Sequence, residues 1–191
     1  MGFLDALLGR TKAKPIAAED RLFAMTTAYV TLETGHNITS RGRAAIVFQP
    51  VATADFEGIV SEMEQIVRGT GEETGTQLHV EEDSYGYRWM ILEDPDVEDL
   101  VVGINAVSDA LAVGGYGDRV LAAVFSFKDT RDRSLYLIYN YKRGTWYPFV
   151  PAGGEQARDA ERELQLKAII GTELPIEPEL ERWFPLWGIP I

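Results

Sequence analysis

At 191 residues, 46% of them hydrophobic and 25% charged, the chain is long enough to bury one substantial core, and its composition excludes wholesale disorder. A formal charge of −12 excludes a general nucleic-acid binder, because affinity for a phosphate backbone needs clustered Lys and Arg. The chain has no cysteine, which removes disulfides, thiolate nucleophiles and cysteine-ligated metals together and fits a reducing interior.

The first fifteen residues, MGFLDALLGRTKAKP, form a segment of their own. Phe3, Leu4, Leu7 and Leu8 recur at helical spacing and, at about 100° per residue, cover an arc of roughly 140°. Arg10, Lys12 and Lys14 follow before Pro15 ends the helix. The tip is apolar on one side and basic at its end, a pattern suited to a membrane surface or a partner protein. It is too short for a signal-peptide core, its charges come after the apolar run, and Ala6 stands where a myristoylation motif needs Ser or Thr. No stretch reaches the roughly 18 apolar residues of a membrane span. The expected location is cytoplasmic, peripheral to the inner face of the cell membrane. Residues 16–191 read as a single domain with a Pro- and Trp-rich tail.

A helix is expected from about Ala17 to Tyr29, with Leu22, Phe23 and Met25 on its apolar face. Gly35 to Gly42 is rich in turn formers and reads as a loop, and Ala44 to Phe48 as a short strand stopped by Pro50. Thr53 caps a helix carrying Phe56, Ile59, Val60, Met63, Ile66 and Val67, followed by a loop containing Gly69, Gly71 and Gly75. Gln77–Glu82 and Tyr87–Leu92 are strands of a hairpin turning through Asp83-Ser84-Tyr85-Gly86. Asp94-Pro95 is a helix start with a capping acid, and the helix that follows places Val97, Leu100, Val101, Ile104, Val107 and Leu111 on one face before Gly114-Gly115. Val120–Phe127 is apolar on both faces, the mark of a central strand covered twice. Leu135–Tyr141 and Trp146–Val150 form a second hairpin, and a polar helix over about Glu155–Ile170 leads into the tail. This order implies an α+β fold with an antiparallel or mixed sheet of hairpins and helices packed on it.

The chemistry-bearing residues nominate no enzyme and no cofactor. His36 and His79 are far apart and lack zinc-site spacing; His79, beside Glu81 and Glu82, reads as a half-exposed strand residue. Glu93, Asp94, Asp96, Glu98 and Asp99 are the densest acidic cluster, but Pro95 and the lack of a loop glycine break a calcium-loop pattern, and acids in a first helical turn complement the helix dipole. Gly114-Gly115-Tyr116-Gly117 follows a helix, the reverse of a phosphate loop, and reads as a C-cap. The aromatics are more telling. Tyr85, Tyr87 and Trp89 fall on or near the first hairpin, and Tyr139, Tyr141 and Trp146 on the second. Residues two apart in a strand share a face, so these side chains either fill a core or line a partner-binding face. Trp183, Phe184 and Trp187 in the tail divide between the same two readings.

The start MGFLDALLGRTK, the block DSYGYRWMILEDPDVEDLVVGINAV, the hairpin LYLIYNYKRGTWYPFVP and the ending LPIEPELERWFPLWG together resemble the PspAB family, proteins associated with phage-shock protein A. The likeness runs nearly the full chain. It implies a role in membrane-stress response beside a PspA-like coiled-coil, membrane-remodelling partner, and brings no reaction and no catalytic residues with it. With the residues above, the expectation is a non-enzymatic adaptor, the alternatives being a chaperone-like module and an enzyme of unrecognised type. It also implies a link to membrane-protein quality control through HtpX-like proteases, in which a chaperone-like module holds a segment of another protein. The order of elements is loosely similar to YbjN and type III secretion-chaperone folds.

Overall fold

The computed structural model describes residues 18–154 and 156–191; the N-terminal tip with Phe3, Leu4, Leu7, Leu8, Arg10 and Lys12 lies outside the described residues. Among them are four α-helices, α1 (Ala18–His36), α2 (Ala54–Thr74), α3 (Val97–Val113) and α4 (Ala160–Ile170). Six strands, β1 (Thr39–Phe48), β2 (Gln77–Glu82), β3 (Arg88–Glu93), β4 (Val120–Lys128), β5 (Ser134–Asn140) and β6 (Thr145–Phe149), form one sheet in the order β2-β3-β1-β4-β5-β6. Every pairing is antiparallel. This is the expected α+β class, with the sheet antiparallel rather than mixed. The β2–β3 hairpin and the β4-β5-β6 meander supply the local pairings, and α3 carries the chain from β3 across β1 to β4.

Period-two alternation sorts the strand side chains onto two faces. Ala44, Ile46 and Phe48, Met90 and Leu92, Ala123, Phe125 and Phe127, Leu137 and Tyr139, and Trp146 face the helices in one core. Against them pack Leu22, Met25, Ala28 and Leu32 of α1, Phe56, Val60, Met63 and Val67 of α2, and the expected six residues of α3. Ala45, Val47, Trp89, Ile91, Val124, Ile138, Tyr147 and Phe149 face the other way, into a second cluster closed by Trp183. The expectation that β4 is covered on both sides is met, since Phe125 and Val124 are both essentially inaccessible.

Several boundaries differ from expectation, each for a local reason. The segment read as a loop at Gly35–Gly42 is instead the end of α1 and the start of β1. A register shift between Ser40 and Arg43 absorbs its turn formers. Gly42 sits there at φ +69°, where an added Cβ would stand 3.1 Å from the Asp94 carbonyl oxygen. That left-handed position suits glycine. Helix α2 continues through Gly69 and Gly71, since two glycines lower helix propensity without forbidding it. The α3 N-cap is Asp96, which accepts from the Glu98 N–H, while Asp94 accepts from the Asp96 N–H one step earlier. The polar helix begins five residues later than expected, where Asp159 caps α4 by accepting from the Arg162 N–H.

The core over α3 tolerates little loss of volume. Ile104 is fully buried at the middle of that helix, and Ile104→Ala is expected to destabilise the fold by about 2–5 kcal/mol through lost burial and the cavity left behind. Urea unfolding followed by circular dichroism measures it; a change below about 0.5 kcal/mol, the range of neutral surface substitutions, would contradict this packing.

Candidate functional site

The aromatic candidates do not form one open face. Tyr139 and Trp146 are fully buried on the helix side. Their rings stand 5.1 Å apart, and Tyr141 packs edge-on to Tyr139 at 4.9 Å. The Trp146 indole N–H donates to the Arg21 carbonyl at 2.9 Å, so α1 caps this hairpin. Burial pushes the Tyr141 hydroxyl above the ordinary tyrosine range. Tyr139 and Trp146 are core, with Tyr141 half-buried against them, so Tyr139 and Trp146 are not an open partner face: helices cover them.

Tyr87 and Trp89 lie on the opposite side of the sheet, and Tyr85 sits at the hairpin tip, 82% exposed. The local sequence explains the turn. The Asp83 carboxylate accepts from the Tyr85 and Tyr87 N–H groups and from the Trp89 indole N–H, while Gly86 takes φ +80°. Burial works against the Asp83 charge, yet these hydrogen bonds outweigh it and hold the carboxyl below its usual range.

The other sequence candidates are used structurally. Asp94 is buried and accepts from the Thr76 hydroxyl at 2.6 Å and the Asp96 N–H at 2.8 Å. Asp99 is shifted upward by burial first and then by Asp94 and Asp96. His79 lies on β2 with its Nε2 3.9 Å from Glu93, which pairs more closely with Arg43 at 2.6 Å. Gly114 and Tyr116 return N–H groups to the Ala110 and Leu111 carbonyls, the work of a helix C-cap. No group of three or more His, Asp or Glu among the described residues is placed to hold a metal ion.

What covers the second face is the C-terminal tail, and two buried carboxylates fasten it. Glu177 is 1% exposed. It accepts from the Arg143 guanidinium and, at 3.2 Å, from the Thr145 hydroxyl. Its backbone N–H donates to the Trp146 carbonyl and the Trp146 N–H to the Pro175 carbonyl, so the tail closes the β6 edge of the sheet. Glu163, 2% exposed, pairs with Arg158 at 2.7 Å and accepts from the Val150 N–H at 2.9 Å. Arg158 in turn donates to the Trp183 carbonyl at 2.7 Å, and the Trp183 indole N–H donates to the Glu177 carbonyl at 3.0 Å. Trp183 therefore clasps the core, whereas Phe184 is 56% exposed.

Beyond Trp183 the fastening changes character. Among the described residues, positions 184–190 make no hydrogen bond to the sheet, and Ile191 makes one, accepting from the Tyr136 hydroxyl at 3.1 Å. Leu186, Trp187, Ile189 and Ile191 pack half-buried on the second cluster, with Trp187 edge-on to Phe149 at 5.1 Å. Fully burying four such side chains would contribute at most about 6–12 kcal/mol, and ordering eight residues costs about 8–16 kcal/mol. The two nearly cancel. A cavity of about 240 Å³ separates Trp187, Gly188 and Pro190 from Glu81, Glu82, Asp83, Tyr85 and Trp89.

Sequence reasoning missed the Glu177 and Glu163 fasteners. Glu177 stands between Ile176 and Pro178, but Glu163 lies in the polar stretch Glu161–Gln165 of α4 and carries no local signal; the burial of both depends on arginines supplied by the fold. The Glu177 pair also has a pH signature. Burial raises its pKa, but Arg143, the Glu179 N–H and Thr145 outweigh burial and hold it below 4.5. Because the folded value is the lower one, this stabilisation is complete above the ordinary carboxylate range and is lost as pH falls below it. Glu177→Gln is expected to destabilise the tail by about 1–3 kcal/mol, moderated because Arg143 is 39% exposed and water screens it. Its unfolding midpoint should also vary less between about pH 5 and pH 3 than that of the unsubstituted chain, as measured by tryptophan fluorescence; identical pH profiles would refute the assignment.

Neither the curated proteins nor the solved structures contain a match to this chain. One family model does match, that of PspA associated protein B, over residues 1–191. Coverage of the whole chain, tip and tail included, makes it a member of the PspAB family.

Proposed function

We propose that the protein is a non-enzymatic adaptor in the phage-shock response, acting beside a PspA-like membrane-remodelling partner at the inner face of the cell membrane. The observation that carries this reading is the family match over residues 1–191, whose description is association with PspA. The fate of the candidate chemistry supports it: Asp94 and Asp96 serve as caps, and Glu93 and His79 lie in surface pairs. No helix among the described residues is long and apolar enough to cross a membrane, so a membrane role for this adaptor is peripheral.

In this proposal the N-terminal tip is the docking element. Phe3, Leu4, Leu7 and Leu8 supply apolar contact, and Arg10 and Lys12 the local positive charge on a chain of net −12. Burying the four side chains would yield at most about 6–12 kcal/mol, against about 9 kcal/mol or more to order the segment. Contact by the tip alone is therefore weak, comparable to a single lipid anchor with an association constant on the order of 10⁴ M⁻¹. An oligomer, or a partner already on the membrane, supplies what is missing. A second reading, a chaperone-like module that holds a partner segment, is favoured by the aromatic sheet face that only the tail covers.

Two measurements test the proposal. In co-sedimentation with anionic vesicles, the intact chain should bind weakly and Leu4→Asp/Leu8→Asp should not bind; equal sedimentation of the two would end the membrane role of the tip. Capture of a purified PspA-like coiled coil should be lost in a variant lacking residues 1–15. Undiminished capture would move the partner site to the folded domain.

A further inference from the structure

We infer that the sheet face beneath residues 184–191 is a partner-binding surface held shut by the tail, which acts as an internal stand-in for a Leu-, Trp- and Ile-rich partner segment flanked by a basic residue. The inference deepens the adaptor reading and rests on it for the partner's identity. The argument begins with how unequally the two faces of the sheet are sealed. One lies under helices α1, α2, α3 and α4. The other carries Trp89, Ile91, Ile138, Tyr147 and Phe149 beneath a single irregular stretch of chain. Bared, it would present an aromatic patch of the kind that marks interaction sites.

The cover divides at Trp183. Up to that residue it is held by the Glu177 and Glu163 ion pairs and by backbone hydrogen bonds to Trp146. Past it, among the described residues, apolar contact and the Tyr136–Ile191 hydrogen bond are what remain. A cover with almost no hydrogen bonds has little sequence-independent attachment, so a competing segment need only match its side chains. Trp187 sets the demand at the centre, edge-on to Phe149. Leu186, Ile189 and Ile191 set it on either side.

The cavity beside the tail supplies the further element. Its walls include Glu81 and Glu82, both solvent-accessible, and the exposed ring of Tyr85. The tail itself carries no basic residue after Arg182, so these acids meet no cation from their cover. A partner segment bearing Lys or Arg beside its apolar run would make the contacts the tail makes and add an ion pair the tail lacks. That difference is what would let a partner displace it.

The test uses a labelled synthetic peptide of the sequence Trp183–Ile191, carrying either two added Lys or two added Glu at its C-terminal end, read by fluorescence anisotropy. A variant ending at Trp183 should bind the Lys-extended peptide at least tenfold more tightly than the full chain does, and should prefer it to the Glu-extended and scrambled forms. If the truncated variant fails to fold by near-ultraviolet circular dichroism, the full-length variant Trp187→Ser/Ile189→Ser, with its fasteners intact, replaces it in the same comparison. A folded, opened variant that ignores the peptide, or binds it no better than the full chain or than the scrambled form, overturns the proposal. Indifference to Lys against Glu overturns its basic-flank component. A PspA-like coiled coil run in parallel separates the two readings: peptide binding without capture of that protein sinks the adaptor assignment alone, and capture with no peptide binding sinks the strap alone.

Discussion

A sheet that is apolar on both faces must be covered twice, and that requirement organises this molecule. Ile46 and Phe125 point to one side, Ala45 and Val124 to the other, and all are withdrawn from water. Helices are efficient covers because each satisfies its own backbone while presenting an apolar stripe. All four use up the first side, α4 through Leu166 and Ile170. The second is left to an irregular tail, whose backbone has no such internal satisfaction and must borrow partners from the sheet edge and from side chains.

This asymmetry explains where the buried charge lies. Glu177 and Glu163 are the fully buried glutamates among the described residues; Glu177 sits in the tail and Glu163 in the first turn of α4, where Arg158 links it to the Trp183 carbonyl. A buried carboxylate is costly unless an opposite charge and further donors surround it. Here Arg143, Arg158, Thr145 and the Val150 N–H meet that requirement. In return, the carboxylates specify one path for a segment that apolar contact alone would hold in many registers. Elsewhere the acids of this strongly anionic chain remain at the surface or cap turns and helices, as Asp83, Asp96 and Asp159 do.

The two surfaces proposed for contact thus belong to the two ends of the sequence rather than to a cleft. The family assignment spans both. A sequence with an apolar N-terminal segment and a folded domain with a lightly fastened aromatic face are what the adaptor proposal builds on. The adaptor proposal follows from this distribution together with the association that names the family.

Much of the fold was legible because its signals are local. The stripe of Val97, Leu100, Val101, Ile104, Val107 and Leu111 specifies a helix face wherever α3 packs, and the alternation through Val120–Phe127 requires burial on both sides. Pairs such as Tyr87 with Trp89, or Tyr139 with Tyr141, also share faces by strand period alone. Their surroundings were decided only in three dimensions. Which side of the sheet receives the helices depends on how α1 and α3 cross it, and that put Tyr139 and Trp146 in the core while Trp89 met the tail. The Glu177–Arg143 pair joins residues 34 positions apart, and no periodicity announces it. Spacing determines which side chains travel together; tertiary packing decides what they meet, because burial and charge pairing are properties of the neighbours brought by the rest of the chain.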